Sequence, residues 1–277
     1  MRSLLTIMVC VFLVFSTALP VQAQKLEGVL QQGAMVVGHV VPGGQVLLDG
    51  QPIKVSDQGL FVLGFDRDAK LESLLVVVDS QGISRETKLH IKKRSYNIQK
   101  IEGIAKKIMS PNPENVKRAR SESALVRKAR AFLLDRLDFA GPFKWPLAGP
   151  ITGVYGSQRV YNGQPKRPHY GVDVAAPTGT PVSTPAPGQV TLAHQDMFYS
   201  GGTLIIDHGH GVSSTLMHLS KVLVKVGDEV TPGDIVAEVG AGGRATGPHL
   251  DWRMNWLKAR IDPQLLVGAM EDGAEHK

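Results

Sequence analysis

The sequence predicts a mainly β protein: a small N-terminal β-sandwich-like domain, a helical linker, and a C-terminal antiparallel β domain. Short β-branched or apolar runs divided by turn residues fill the first hundred positions and return after Phe143. Between them lies a densely charged stretch whose apolar positions form only a partial helical stripe. With 277 residues, 43% hydrophobic and 20% charged, the chain has the apolar content of a globular protein and the length of two folded units plus a processed segment.

Residues 1–23 read as a secretory signal: Arg2, an apolar run from Leu4 to Leu19, and the small-residue site Val21-Gln22-Ala23. About 16 apolar residues fall short of the roughly 20 that span a bilayer, and Pro20 follows. Cleavage before Gln24 implies an exported, periplasmic or otherwise extracytoplasmic protein. Cys10 lies inside that run, so the mature chain has neither a disulfide nor a thiol nucleophile.

Residues 24–100 form the predicted N-terminal β domain. Ala34–Val41, Gln45–Leu48, Gly59–Leu63, Leu74–Val78 and Thr87–Ile91 are strand candidates, with turns at Pro42-Gly43-Gly44, Asp49-Gly50 and Asp79-Ser80-Gln81-Gly82. His39 and His90 stand alone there and read as structural. Residues 101–140 are the predicted basic linker. In it Asn112 caps a helix, Pro113 occupies its first turn, and Glu114 to about Leu137 continue it. Residues 141–268 form the second β domain, with strand candidates Ile205–Asp207, Gly211–Met217, Lys221–Val226 and Ile235–Val239 between glycine-containing turns. Residues 269–277 read as a flexible tail.

The net charge of +6 is local: residues 85–130 hold 14 Lys or Arg against 4 Asp or Glu, whereas residues 141–277 hold 11 against 12. Such a segment suits an anionic membrane or wall surface, and equally a solvated helix face; nucleic acid is not the expected partner of an exported chain. No glycine-rich phosphate loop precedes a helix, so nucleotide binding has no support.

Chemistry concentrates in the second half. His169-x-x-x-Asp173 pairs a nitrogen with an oxygen ligand of the kind zinc takes, and an offset of four keeps both on one side of either a helix or a strand. In Pro248-His249-Leu250-Asp251-Trp252, a strand directs His249 and Asp251 to one face and Leu250 and Trp252 to the other. His218 ends the run Val212–Met217. His208 and His210 fall in the turn-like Asp207-His208-Gly209-His210-Gly211, which reads as structure; His194 and His276 belong to no constellation.

Over roughly residues 145–265 the chain resembles the lysostaphin-type, or LytM-like, zinc endopeptidases of peptidoglycan. The resemblance is carried in order by His169-x-x-x-Asp173, Ala175-Ala176-Pro177-Thr178-Gly179-Thr180-Pro181-Val182, Asp207-His208-Gly209-His210-Gly211, His218-Leu219-Ser220 and Gly247-Pro248-His249. It implies Zn2+ held by His169 and Asp173, metal-assisted peptide hydrolysis, and His218 and His249 as the catalytic pair that manages the proton and the oxyanion. The family's third ligand is a histidine at position 251, where this chain has Asp251. Asp251 is expected to ligate in its place. A second carboxylate would make the zinc site formally neutral, so activity should lean toward higher pH. The implied function is cleavage of peptidoglycan cross-links. The alternative is a catalytically inactive wall-binding protein, or an activator of a partner hydrolase.

Overall fold

Hairpins dominate the computed structural model of the chain, which describes residues 25–102 and 112–270. The signal-like residues 1–23, residues 103–111 of the linker and residues 271–277 of the tail lie outside the described residues. In the N-terminal part, β1 (Lys25–Glu27), β2 (Met35–His39) and β5 (Leu60–Gly64) form one antiparallel sheet. The strands β3 (Gln45–Leu48), β4 (Gln51–Ile53), β6 (Glu72–Val78) and β7 (Ser84–His90) form a second, in the order β4-β3-β6-β7. Asp49 and Gly50, both at positive φ (49° and 77°), make the two-residue turn between β3 and β4; residues of this kind tolerate that geometry. Val36 and Phe61 from the first sheet and Val46, Leu75 and Leu89 from the second are buried in one apolar cluster.

That cluster continues into the C-terminal half through Trp252, Trp256 and Ile261. Polar ties reinforce the junction. Arg94 Nη2 donates to the buried Asp262 at 2.9 Å, and Arg67 Nε donates to Gly156 O at 2.9 Å. The strand β8 (Ile98–Ile101) pairs in parallel with β10 (Gln158–Tyr161), whose other neighbour is β11 (Gln164–Pro165).

Helix α1 (Pro113–Ala129) begins as its sequence dictates: the Asn112 side chain accepts from Glu114 N and Pro113 sits in the first turn. It ends eight residues short of the expected Leu137. Val126 and Ala129 pack with Leu192, Met197 and Ile205, but Phe132 and Leu133 beyond them are exposed and give the stripe nothing to bury. The backbone there is instead claimed by the sheet and its neighbours: Leu134 O accepts from His210 N at 3.2 Å and Leu133 O from Lys54 Nζ at 2.9 Å. Among the described residues no helix is long and apolar enough to cross a membrane.

The large sheet contains β9 (Ile151–Gly153), β12 (Val172–Ala175), β13 (Pro181–Ser183), β14 (Gly188–Met197), β15 (Gly201–Gly209), β16 (Val212–Val222), β17 (Glu229–Val230), β18 (Ile235–Val239), β19 (His249–Trp256) and β20 (Ala259–Ile261). Its main path runs β17-β14-β15-β16-β19-β12-β9, with β18 and β13 attached beside β16 and β20 beside β19. His210 and Gly211, at φ 48° and 80°, form the tight turn that joins β15 to β16. The separate strand expected at Lys221–Val226 does not form; β16 runs on to Val222. His218 at φ 63° bends β16, which pairs with β15 up to Leu219 and with β18 from Leu219 onward.

Candidate active site

Strand register brings the candidate residues together. Asp173 on β12 lies opposite Asp251 on β19, and Met217, the residue before His218, lies opposite Asp251 from the other side. Period-two alternation sends Leu250, Trp252 and Met254 into the core, fully buried, and leaves His249, Asp251 and Arg253 on the other face. His169 enters from the chain just before β12. One ligand atom from each of His169, Asp173 and Asp251 lies within 4.8 Å of the others.

The first two have the arrangement of a coordination pair. His169 Nε2 is 3.2 Å from Asp173 Oδ1, and both atoms are sealed from solvent with no hydrogen bond to any third group. Two ligands at roughly 2.0–2.1 Å from a tetrahedral ion stand about 3.3–3.4 Å apart, so this separation suits zinc. Glycines make room for the carboxylates. A Cβ at Gly153 would lie 2.1 Å from Asp173 Oδ2, and one at Gly171 would lie 2.5 Å from Asp251 Oδ1. Burial pulls the His169 imidazole below its ordinary pKa, but the adjoining Asp173 and Asp251 more than offset this and the net shift is upward.

Asp251 is differently bound. Arg253 Nε donates to its Oδ1 at 2.9 Å and Oδ2 at 3.1 Å, and Arg253 Nη2 donates to Oδ2 at 2.6 Å. The Asp251 side chain is 3% exposed. Burial alone would raise its carboxyl pKa, but the Arg253 guanidinium holds it below the ordinary range. A carboxylate offers about four lone-pair sites, so three such bonds leave one on Oδ1 for a further partner. The donor set therefore fits a metal through His169 and Asp173 outright, and through Asp251 while it remains paired with Arg253.

Arg253 also corrects the charge expected from the sequence. Two carboxylates and one guanidinium give the cluster a formal −1, hence +1 with a divalent ion, the same value as a site with two histidines and one aspartate. The displacement toward higher pH expected from Asp251 alone therefore has no electrostatic basis. Arg253 was legible in principle, because it lies two residues beyond Asp251 on a strand and so shares its face.

The His218 and His249 rings stand 4.7 Å apart between centroids. Each is oriented through Nδ1, to Gly242 O at 2.8 Å for His218 and to Gly247 O at 2.8 Å for His249. A carbonyl oxygen can only accept, so Nδ1 carries the proton in both rings and Nε2 is left as the free basic nitrogen. His249 Nε2 lies 3.9 Å from Asp173 Oδ1. Burial holds His218 below its ordinary pKa, neutral and able to accept a proton. The two turn histidines do something else. His208 donates from Nδ1 to Pro187 O at 2.6 Å and meets Ser214 Oγ at 2.7 Å through Nε2, while His210 serves the tight turn. Neither joins the metal-type cluster found among the described residues.

The model of peptidase family M23 matches residues 167–263, which span all five of these residues. The peptidoglycan DD-endopeptidase ShyA of Vibrio cholerae is 41% identical over 101 residues, covering 34% of this chain and 23% of that protein. The cell division protein DipM of Caulobacter vibrioides is 32% identical over 133 residues, covering 46% of this chain and 21% of that protein. The chain thus spans less than a quarter of either relative. A crystal structure from Pseudomonas aeruginosa, assigned to peptidase M23, reaches further: it shares 30% of its residues, covers 87% of this chain and 96% of its own, and superposes with a TM-score of 0.68. With that likeness running across both the N-terminal sheets and the large sheet, the chain belongs to peptidase family M23.

Proposed function

We propose that the chain is a zinc-dependent endopeptidase that hydrolyses peptide cross-links of peptidoglycan outside the cytoplasm. The observation that carries this reading is the pair of ligand atoms on His169 and Asp173, sealed from solvent and facing each other at 3.2 Å with no hydrogen bond to a third group, set beside two imidazoles that are held through Nδ1. His169, Asp173 and Asp251 would hold the ion. When bound, zinc supplies a Lewis acid that polarises a peptide carbonyl and acidifies a water molecule. His218 and His249 divide the remaining work: one Nε2 takes the proton from the attacking water and delivers that same proton to the leaving amine, while the other ring, in its protonated form, donates from Nε2 to the oxyanion. The Gly242 and Gly247 carbonyls fix both rings in the tautomer this requires. The activity in the name of the Vibrio relative favours a D,D cross-link as the bond cut. Export rests on the signal-like residues 1–23 and on the substrate.

A second reading has its own support. Arg253 already gives Asp251 a counter-charge and three hydrogen bonds, which suits a chain that binds wall or activates a partner hydrolase without metal. One experiment separates them. The mature chain, purified with zinc available, should hold about one equivalent of metal and release cross-linked muropeptides from purified wall. Asp173→Ala should abolish both, whereas His218→Ala should keep the metal and lose cleavage. A wild-type chain without metal or cleavage would leave the second reading in its place.

A further inference from the structure

A groove of about 750 Å3 lies between α1 and the large sheet and collects positive charge. Arg130, Arg167, Lys258 and Arg260 line it, and none of the four has an ion-pair partner among the described residues. Its one lining carboxylate, Glu122, is committed elsewhere: it accepts from Arg118 Nε at 2.7 Å and from Phe198 N at 2.8 Å. Arg130 donates from Nη2 to Thr215 Oγ1 at 2.7 Å, but its Nε is sealed from solvent with no hydrogen-bond partner. Burial, together with the charges of Arg260, Arg253 and Arg167, pushes Arg130 down to about 9. A largely desolvated guanidinium pressed by like charges is destabilising unless an anion comes beside it to neutralise the charge.

The groove shares strands β16 and β19 with the candidate active site. Thr215, which accepts from Arg130, is the register partner of Arg253. Asn255, a lining residue, shares the face of Asp251 four positions along β19. At about 3.3–3.4 Å per extended residue, that distance is roughly 13 Å, the reach of a few peptide units from the cluster. The Ser200 carbonyl, on the same wall, accepts from His218 N at 2.7 Å.

We propose, building on the peptidase reading, that this groove is an anion subsite in which Arg130, Arg167 and Arg260 bind a free carboxylate of the peptide substrate. The planar guanidinium fork matches a carboxylate bidentately, which an ammonium does not. A cross-link through diaminopimelate leaves such a carboxylate next to the reacting peptide. The subsite thus favours acidic stem peptides over uncharged bridges such as oligoglycine.

The test uses the full mature chain with metal removed by chelator, so that its outcome does not depend on activity. Calorimetric titration with the tripeptide L-Ala-γ-D-Glu-diaminopimelate should show saturable binding. The same peptide with its carboxylates amidated should bind at least tenfold more weakly, as should the acid form with Arg167→Gln or Arg130→Met. Without ligand, Arg130→Met should melt no lower than wild type, because it removes an unpaired buried charge. Arg167 is exposed, so its replacement keeps the test valid if Arg130→Met does not fold. Equal binding of the acid and amide peptides would overturn the proposal. So would binding of inorganic phosphate without binding of the peptide. Cleavage of acid and amidated peptides at equal rates would sink the subsite and leave the peptidase reading standing; carboxylate-dependent binding without cleavage would do the reverse.

Discussion

Replacing Arg253 by Met should reveal how far Asp251 depends on it. The Asp251 carboxylate, 3% exposed, receives three hydrogen bonds from that one guanidinium. Removing one partner of such a buried pair costs about 3–5 kcal/mol, because the remaining charge stays desolvated and unpaired. At roughly 2–4 °C per kcal/mol for a chain of this size, the melting temperature in chelator should fall by about 6–20 °C. Zinc should then stabilise Arg253→Met more than wild type, since the ion replaces the lost counter-charge. Differential scanning calorimetry of both proteins, with chelator and with zinc, measures the two effects. The double variant Asp251→Leu/Arg253→Met removes both charges and should recover most of the loss in chelator. If Arg253→Met melts within about 2 °C of wild type in chelator, the pair is not what holds Asp251 and the reasoning fails. The same logic bears on restoring a histidine. Asp251→His alone would leave Arg253, 23% exposed, as an unpaired charge beside the site, so metal affinity should improve only when Arg253→Met accompanies it.

Gly153→Ala should abolish stoichiometric zinc while leaving the fold cooperative, because its Cβ would sit 2.1 Å from Asp173 Oδ2; metal analysis after gel filtration measures it. Buried His208 has its pKa pushed down from 6.5 to about 4, so the unfolded chain binds that proton first and acidification from pH 6.5 to 4 costs about 3 kcal/mol. Neighbouring Asp207, raised by burial to about 6, works in the opposite sense, since the folded chain takes up its proton first. Asp207→Asn should therefore lose stability more steeply than wild type between pH 6.5 and 4 in urea denaturation, and parallel profiles would refute the pairing. Retention on purified wall or anionic vesicles should weaken between 0.1 M and 1 M salt as the Debye length falls from about 10 to 3 Å, and should weaken further with Lys92→Ser/Lys93→Ser in co-sedimentation.

How much of this could be read beforehand depends on the range of the interactions. Alternating apolar runs and Gly-containing turns made the strands visible, because side-chain direction and positive φ are local properties: Asp49-Gly50 and His210-Gly211 are turns for the reason their sequence suggests. The cap of α1 was equally local, with Asn112 and Pro113 sufficient to start it. Its end was not. Whether the helix continued past Ala129 depended on whether Phe132 and Leu133 would find apolar neighbours, and the sheet instead claimed the Leu134 carbonyl. Likewise the motif spacing singled out His169, Asp173, His218, His249 and Asp251, whose mutual distances only the register of β12, β16 and β19 could supply. Arg253 lies outside the motif, and its pairing with Asp251 follows from the strand that sets both on one face. The role of Gly153 is not local, because the space it leaves for Asp173 depends on the pairing of β9 with β12, twenty residues further along the chain.

The basic middle of the sequence shows why a charge count cannot by itself name a partner. Residues 85–130 carry 14 basic against 4 acidic side chains, yet the structure divides them among different tasks. Arg94 ties the N-terminal sheets to buried Asp262, and Arg118 bridges Glu122 and Asp196, fastening α1 to the sheet. Arg130 turns inward to the groove, where it contributes nothing to a flat basic surface. Lys92 and Lys93 are exposed without ion pairs among the described residues, which makes them the better candidates for long-range attraction. Neutralising Arg94 together with them would loosen the junction between the sheets and confuse instability with lost attachment. The groove and the surface should therefore respond differently to salt: screening weakens the attraction of exposed lysines over several ångströms, whereas a carboxylate in direct contact with a buried guanidinium is screened far less. Wall retention that disappears at 1 M salt while tripeptide binding persists is the pattern this division of charge requires.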